Sequence, residues 1–171
     1  IKNQKIKSTI EFFPEEGKYH VDGNRLCGVS WTPEETKRHH GICPKCKQKV
    51  TVGVLNRIDV LADRPTGFCD EWRIPFRHLV SLDTIIGEAL DVGSKTKAVQ
   101  REYAKLVVAF GSEFNVLMDA TPCDIALATC PEIAEGIFRM REGRLSIVPG
   151  YDGEYGIIKI FDKKERVRIS Q

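Results

Sequence analysis

The tightest constraint on this chain is Cys43-Pro-Lys-Cys46, two thiols in one short turn, with Cys27 a little before them. A two-residue gap lets both sulfurs reach one ion, and zinc prefers four tetrahedral ligands drawn from thiolates and imidazoles. A chain that folds around such an ion can hold a small β unit with no core of its own, because metal binding supplies the folding energy. Six cysteines are too few for a disulfide scaffold, and Cys69, Cys123 and Cys130 are scattered. The clustering therefore points to metal, and the cytoplasm is the expected location.

The second half of the ligand set depends on a hairpin. Gly23-Asn24 fits a two-residue turn between Lys18–Asp22 and Arg25–Cys27. That register pairs His20 with Cys27, and directly opposite residues share a face with Cβ atoms about 5 Å apart. His20, Cys27, Cys43 and Cys46 then form the expected set. A turn at Asp22-Gly23 would instead place His20 opposite Arg25, and His39, His40 and Cys69 are the other candidates for the fourth ligand. Four protein ligands leave no open position, so the expected ion is a structural Zn2+.

Composition bounds the remainder. The 171 residues, 42% hydrophobic and 29% charged, match an ordinary globular protein and exclude collagen-like, disordered and coiled-coil classes. No apolar run approaches the roughly 20 residues of a membrane helix. The chain opens on Ile1 without a leader-like segment, and an excised piece of a longer polypeptide is expected. Its net charge of +2 splits into +4 over residues 1–50, −5 over 51–156 and +3 over 157–171.

Residues 1–17 read as a linker from an upstream domain, closed by Pro14 and Gly17. Thr32-Pro33-Glu34-Glu35 supplies an N-cap, a first-turn proline and a capping-box glutamate for a short helix to about His40. A strand is expected over Gln48–Val52. Leu55, Ile58, Leu61 and Ala62 recur at helical spacing, which predicts a core helix ending at Arg64-Pro65. Residues 66–80 are loop-like, with Trp72, Ile74 and Phe76 as packing anchors. Further helices are predicted from Ser81, from Ser94 to Gly111, from Thr121-Pro122 and from Cys130-Pro131 to Gly143. A β-hairpin, Arg144–Val148 and Ile157–Phe161, follows. The expected fold is α+β: a zinc-binding β-hairpin/knuckle module at 18–52, then a mainly helical domain at 53–171 ending in the hairpin.

Phosphate loops, nucleophile elbows and dinucleotide fingerprints are absent from the sequence, and only His78 lies outside the metal region. Independent catalysis is not expected. The loop Pro149-Gly-Tyr-Asp-Gly-Glu-Tyr-Gly156 joins glycines to Tyr151 and Tyr155, which suits phosphate approach and base stacking; it equally suits a plain hairpin loop. Arg139, Arg141, Arg144 and Lys159 nearby favour nucleic acid.

Taken together, Tyr19-His-Val-Asp-Gly-Asn-Arg-Leu-Cys27-Gly-Val-Ser, Thr32-Pro-Glu-Glu-Thr36, Cys43-Pro-Lys-Cys46, Gly53-Val-Leu-Asn-Arg57, Leu61-Ala-Asp-Arg-Pro65 and Pro149-Gly-Tyr-Asp-Gly153 resemble the region downstream of the catalytic domain in endonuclease Q and its bacterial relatives. The likeness runs from about residue 18 to 160. That family joins a polymerase-and-histidinol-phosphatase (PHP) metallo-nuclease domain to a zinc module and a helical region, and nicks DNA beside deaminated bases such as uracil and hypoxanthine. Some relatives carry a UvrD-like helicase designation or fusion. The resemblance implies a zinc role for Cys27, Cys43, Cys46 and His20, with an upstream PHP nuclease domain and DNA as partners. It also implies a role in positioning DNA, and the loop and basic residues read above, Tyr151, Asp152, Tyr155, Arg139, Arg141 and Lys159, are the ones expected to face the nucleic acid. The His- and Asp-rich catalytic motifs do not occur in this sequence, so cleavage by this piece alone is not expected. The alternative is a purely architectural zinc-stapled module that never touches DNA.

Overall fold

The computed structural model describes residues 6–161. Within them the chain divides into one unit of residues up to 77 together with 147–158, and a second of 78–146 with the residues from 159 on. The sequence boundary at residue 53 falls inside the first unit, and the loop of residues 149–156 belongs to that unit as well. The expected α+β class, with small sheets and a closing hairpin, is the architecture found.

The first unit opens with β1 (Thr9–Glu11), which pairs with β4 (Phe76–His78), and a 3-10 turn at Pro14–Glu16. β2 (Asp22–Asn24) and β3 (Val29–Trp31) are antiparallel in the register Asp22↔Trp31, Gly23↔Ser30, Asn24↔Val29. The predicted turn at Gly23-Asn24 is thereby corrected: both residues lie in β2, and the chain reverses through a 3-10 turn at Arg25–Cys27 ending on Gly28. Asn24 causes the shift, because its side-chain oxygen accepts the Cys27 N–H at 3.1 Å and makes it the N-cap of that turn.

α1 (Pro33–Arg38) forms as its capping box dictates. Thr32 Oγ1 accepts the Glu35 N–H, and the Glu35 carboxylate accepts the Thr32 N–H at 2.8 Å. The strand expected at Gln48–Val52 is reduced to single bridges, Ile42↔Lys49 and Gly23↔Thr51. α2 (Val54–Leu61) starts where predicted, yet it is no core helix: Val54, Ile58 and Leu61 are all more than half exposed. A polar clamp anchors it instead. The fully buried Asp22 carboxylate accepts the Gly53 N–H at 2.6 Å and the Asn56 side-chain N–H at 2.5 Å. Gly53 is required there, since a Cβ would stand 2.4 Å from the Val21 carbonyl carbon. Trp72, expected as an anchor, is 83% exposed, and Phe76 sits in β4 beneath Arg73.

The second unit is a bundle of α3 (Leu82–Ala89), α4 (Lys97–Phe110), α5 (Pro122–Ala128) and α6 (Pro131–Arg141), with a π-helical turn at Asn115–Asp119. Their apolar faces close on one core that includes Leu82, Ile85, Ile86, Val99, Leu106, Val116, Ile125, Ile133 and Ile137. Gly136 lets α6 approach α3; a Cβ there would meet Ile85 at 2.9 Å. α4 begins after Thr96 rather than Ser94, and Gly111 closes it with φ 82°. Ser81 stands at the N-cap position of α3, but its hydroxyl turns to Asp83, and Glu113 accepts the Leu82 N–H instead. β5 (Ser146–Val148) pairs with β6 (Ile157–Lys159) to complete the hairpin. No described helix is long and apolar enough to cross a membrane.

Candidate metal centre and the hairpin loop

The sulfurs of Cys27, Cys43 and Cys46 all lie within 4.8 Å of one another. Thiolates bound at about 2.3 Å to one tetrahedral ion sit about 3.8 Å apart, so this set fits a metal with only small adjustment. Cys43 is fully buried against Val29 and Val50, with Cys27 and Trp31 packed beside them, while Cys46 is exposed. The backbone N–H of Cys46 donates to the Cys43 sulfur and, helped by that of Lys45, brings its pKa down to about 7. The Cys27 thiol is pushed up to about 11 by its hydrogen bond with Cys46 and by desolvation. The Cys43 thiolate forms readily while Cys27 resists, and a cation at the centre removes that conflict.

His20 does not join this set. The corrected register places Cys27 in the turn rather than opposite His20, whose backbone N–H donates to the Gly150 and Gly17 carbonyls and whose carbonyl accepts from Leu55. His39 stacks on Trp31, with ring centroids 4.5 Å apart and planes 12° from parallel. His40 and Cys69 are exposed, and among the described residues Cys27, Cys43 and Cys46 are the group that could hold an ion.

The hairpin loop is welded to the knuckle rather than left open. Asp152 accepts the Thr51 hydroxyl at 2.5 Å and the Arg25 N–H at 2.8 Å, and these contacts hold its carboxyl below the usual range. Tyr151 packs its ring on Gly23, where a Cβ would stand 2.4 Å from the ring. The glycines do not cradle phosphate. Gly150, Gly153 and Gly156 donate their N–H groups to Glu15, Lys18 and Glu16, and Gly150 and Gly156 approach the backbone of residues 15–17 too closely for any side chain. Tyr155 alone of the two tyrosines faces solvent, 69% exposed, with Lys18 Nζ 4.5 Å from its ring centre.

Arg139 and Arg141, expected to meet nucleic acid, are turned inward. Arg139 donates to Glu135 at 2.8 Å and to the Ile160 carbonyl, and lies over the Phe161 ring. Arg141 donates to the carbonyls of Val116, Leu117 and Ala120 and so caps the π-helical turn. A turn of that kind leaves carbonyls without helical partners, and a guanidinium fork satisfies several at once. Lys159 is exposed.

Sequence reasoning passed over Asn24, Asp22 and Thr51, which organise the site. For Asn24 the signal is present: Asn24-x-x-Cys27 repeats the spacing of Cys43-x-x-Cys46.

Residues 81–144 match the MJ0043 C-terminal domain family. Over 164 residues the chain is 32% identical to the uncharacterized protein MJ0043 of Methanocaldococcus jannaschii, covering 96% of this chain and 21% of that protein. Over 161 residues it is 32% identical to the uncharacterized protein YqxK of Bacillus subtilis, covering 92% and 36%. The crystal structure of the lesion-specific endonuclease PfuEndoQ from Pyrococcus furiosus superposes with a TM-score of 0.80 at 33% identity, covering 94% of this chain and 40% of that one. Endonuclease Q in complex with a 27-mer duplex substrate with an abasic lesion at the active site gives 0.74 at 34% identity, again covering 94% and 40%. The resemblance to endonuclease Q downstream of its catalytic domain thus holds in sequence and in fold, and the chain spans between about a fifth and two fifths of these relatives.

Proposed function

This chain is related to endonuclease Q over nearly all its length, and from that premise we propose that it is the zinc-stapled DNA-recognition part of a cytoplasmic repair endonuclease acting at deaminated bases. The observation that carries the reading is the 0.80 superposition on a lesion-specific endonuclease at one-third identity. Cutting belongs to a PHP nuclease domain outside this chain. In this reading Zn2+ is held by Cys27, Cys43 and Cys46 and acts structurally, fixing the knuckle to which Asp152 ties the hairpin loop. Tyr155 offers a flat face for a base, and Lys18 and Lys159 offer charge for phosphates. Extruding a damaged or mispaired base costs only a few kcal/mol, which favours lesions over intact pairs.

Binding of duplexes with uracil, hypoxanthine or no lesion, measured across salt concentrations, tests this. Affinity is expected to fall with salt, and Tyr155→Ala is expected to cost about 1–3 kcal/mol, the usual worth of one stacked base. Absent or salt-independent binding overturns it. The consumed loop amides and the inward Arg139 and Arg141 favour a second reading, a module that serves the nuclease by architecture alone. That reading predicts unchanged nicking by the whole parent protein when Tyr155 and Lys18 are both replaced by alanine.

A further inference from the structure

We propose that Asn24 stands at the fourth corner of the metal centre, so that the ion is held by three thiolates and keeps one position for an exchangeable small ligand. The proposal rests on the metal reading above and goes beyond it by contradicting the closed four-ligand site expected from the sequence.

Two turns contribute the three sulfurs and share two features, although their closing backbone bonds differ, the Lys47 N–H donating to the Cys43 carbonyl and the Gly28 N–H to that of Arg25. In Cys43-Pro-Lys-Cys46, the Cys43 sulfur accepts the N–H of the residue three positions on, and the following Lys47 adopts φ 61°. In Asn24-Arg-Leu-Cys27, the Asn24 side-chain oxygen accepts the N–H of Cys27, again three positions on, and the following Gly28 adopts φ 62°. Position 24 therefore corresponds to position 43: it is the first-ligand place of a second knuckle. Its side chain also faces the cluster, since Nδ2 lies 3.6 Å from the Cys46 sulfur.

A carboxamide in that place changes the chemistry. It carries no charge, and its oxygen is a poor match for an ion already held by soft thiolates. That oxygen is also committed to Cys27, and the nitrogen donates to Cys46, which makes Asn24 a positioning residue for two ligands rather than a strong ligand itself. No other His, Cys, Asp or Glu among the described residues joins the three sulfurs. A corner without a thiolate or imidazole is filled from solution, and a three-thiolate ion favours a soft donor such as a small thiol.

The test uses the 171-residue chain loaded with Co2+, whose visible bands report the ligand set. Wild-type protein is expected to give three-thiolate bands that move on adding 2-mercaptoethanol, toward those of Asn24→Cys. The variant should show four-thiolate bands that ignore added thiol, with Co2+ bound on the order of tenfold or more tightly. Wild-type bands that match the variant's at the outset, or that ignore the thiol, overturn the assignment. So does a change of wild-type bands on His20→Ala, His39→Ala, His40→Ala or Cys69→Ser, which identifies a fourth side chain and needs no folded Asn24→Cys. Failure of both proteins to take up Co2+ overturns the underlying metal reading, a result distinct from uptake with identical bands.

Discussion

The two units solve the problem of stability by different means. In the second, four helices bury a continuous set of aliphatic side chains, and Leu82, Ile85, Ile125, Ile133 and Ile137 are fully sequestered. In the first, the buried apolar cluster around the knuckle amounts to Val29, Cys43 and Val50, far too little to offset the entropy of ordering its loops. What it has instead are point connections, Asp22 on Gly53 and Asn56 and Asp152 on Thr51 and Arg25, beside three sulfurs placed so that they could hold an ion. A packed core distributes its stability over many contacts, whereas a pinned one concentrates it in a few removable groups. The same pinning leaves apolar surface uncovered, as on α2 and at Leu26 and Trp72.

Metal removal is the largest lever on that contrast. Structural zinc contributes about 10–16 kcal/mol in small metal-folded units, so chelation is expected to unfold residues 18–52 while the helical unit keeps its amide protection. Hydrogen exchange read residue by residue checks it, and retained protection across the knuckle with all three thiols open to titration would end the contrast. The converse is Ile137→Ala in α6, fully buried in the other unit. It is expected to cost about 2–5 kcal/mol of helical-unit stability by thermal or denaturant unfolding, with metal uptake unchanged. Equal loss in both units would mean that the chain unfolds as one.

Legibility in the sequence follows the same division. Helices announced by period and by caps were readable: the Thr32 capping box, Thr121-Pro122 and the Gly111 stop all form in the structure. Cys43 and Cys46 were readable as a pair because two-residue spacing constrains geometry almost alone, whereas Cys27 was grouped with them by proximity in sequence and a hairpin register that did not form. The fourth partner was not, because it hinged on hairpin register, which Asn24 resets by capping the turn with its own side chain. Periodicity misled at α2, since of the stripe Leu55, Ile58, Leu61 and Ala62 only Leu55 is even half-buried, and a buried aspartate fixes the helix instead. Basic charge misled at Arg139 and Arg141, because a charge count does not distinguish a guanidinium facing solvent from one turned onto Glu135 and the Ile160 carbonyl, as Arg139 is, or onto carbonyls of a π-helical turn, as Arg141 is. Nothing in local sequence announces that turn.

The smallest expected effect concerns the pin between loop and knuckle, and it tells a metal-held unit from one held by hydrogen bonds as well. Asp152 takes its lowered pKa first from the Thr51 hydroxyl and then from the Arg25 N–H, both of which favour the carboxylate. A carboxyl whose folded pKa lies below its ordinary 3.8 adds stability that is fully present above that value and is lost as pH falls through the folded pKa. Asp152→Asn removes the charge and should abolish this acid-dependent contribution. The neutral carboxamide can still accept one hydrogen bond, so the loss at neutral pH is expected to be modest, about 1 kcal/mol. Resonances of Tyr151 and Gly23, followed from pH 6 to pH 2, are the measurement, since the ring lies on that glycine. Wild type is expected to show a loop transition below pH 4 that the variant lacks, while the variant keeps the Co2+ bands of the wild type near neutral pH. Altered bands would mean that the loop helps to shape the metal centre, and the pins of the first unit would then act as one device rather than as separate ones.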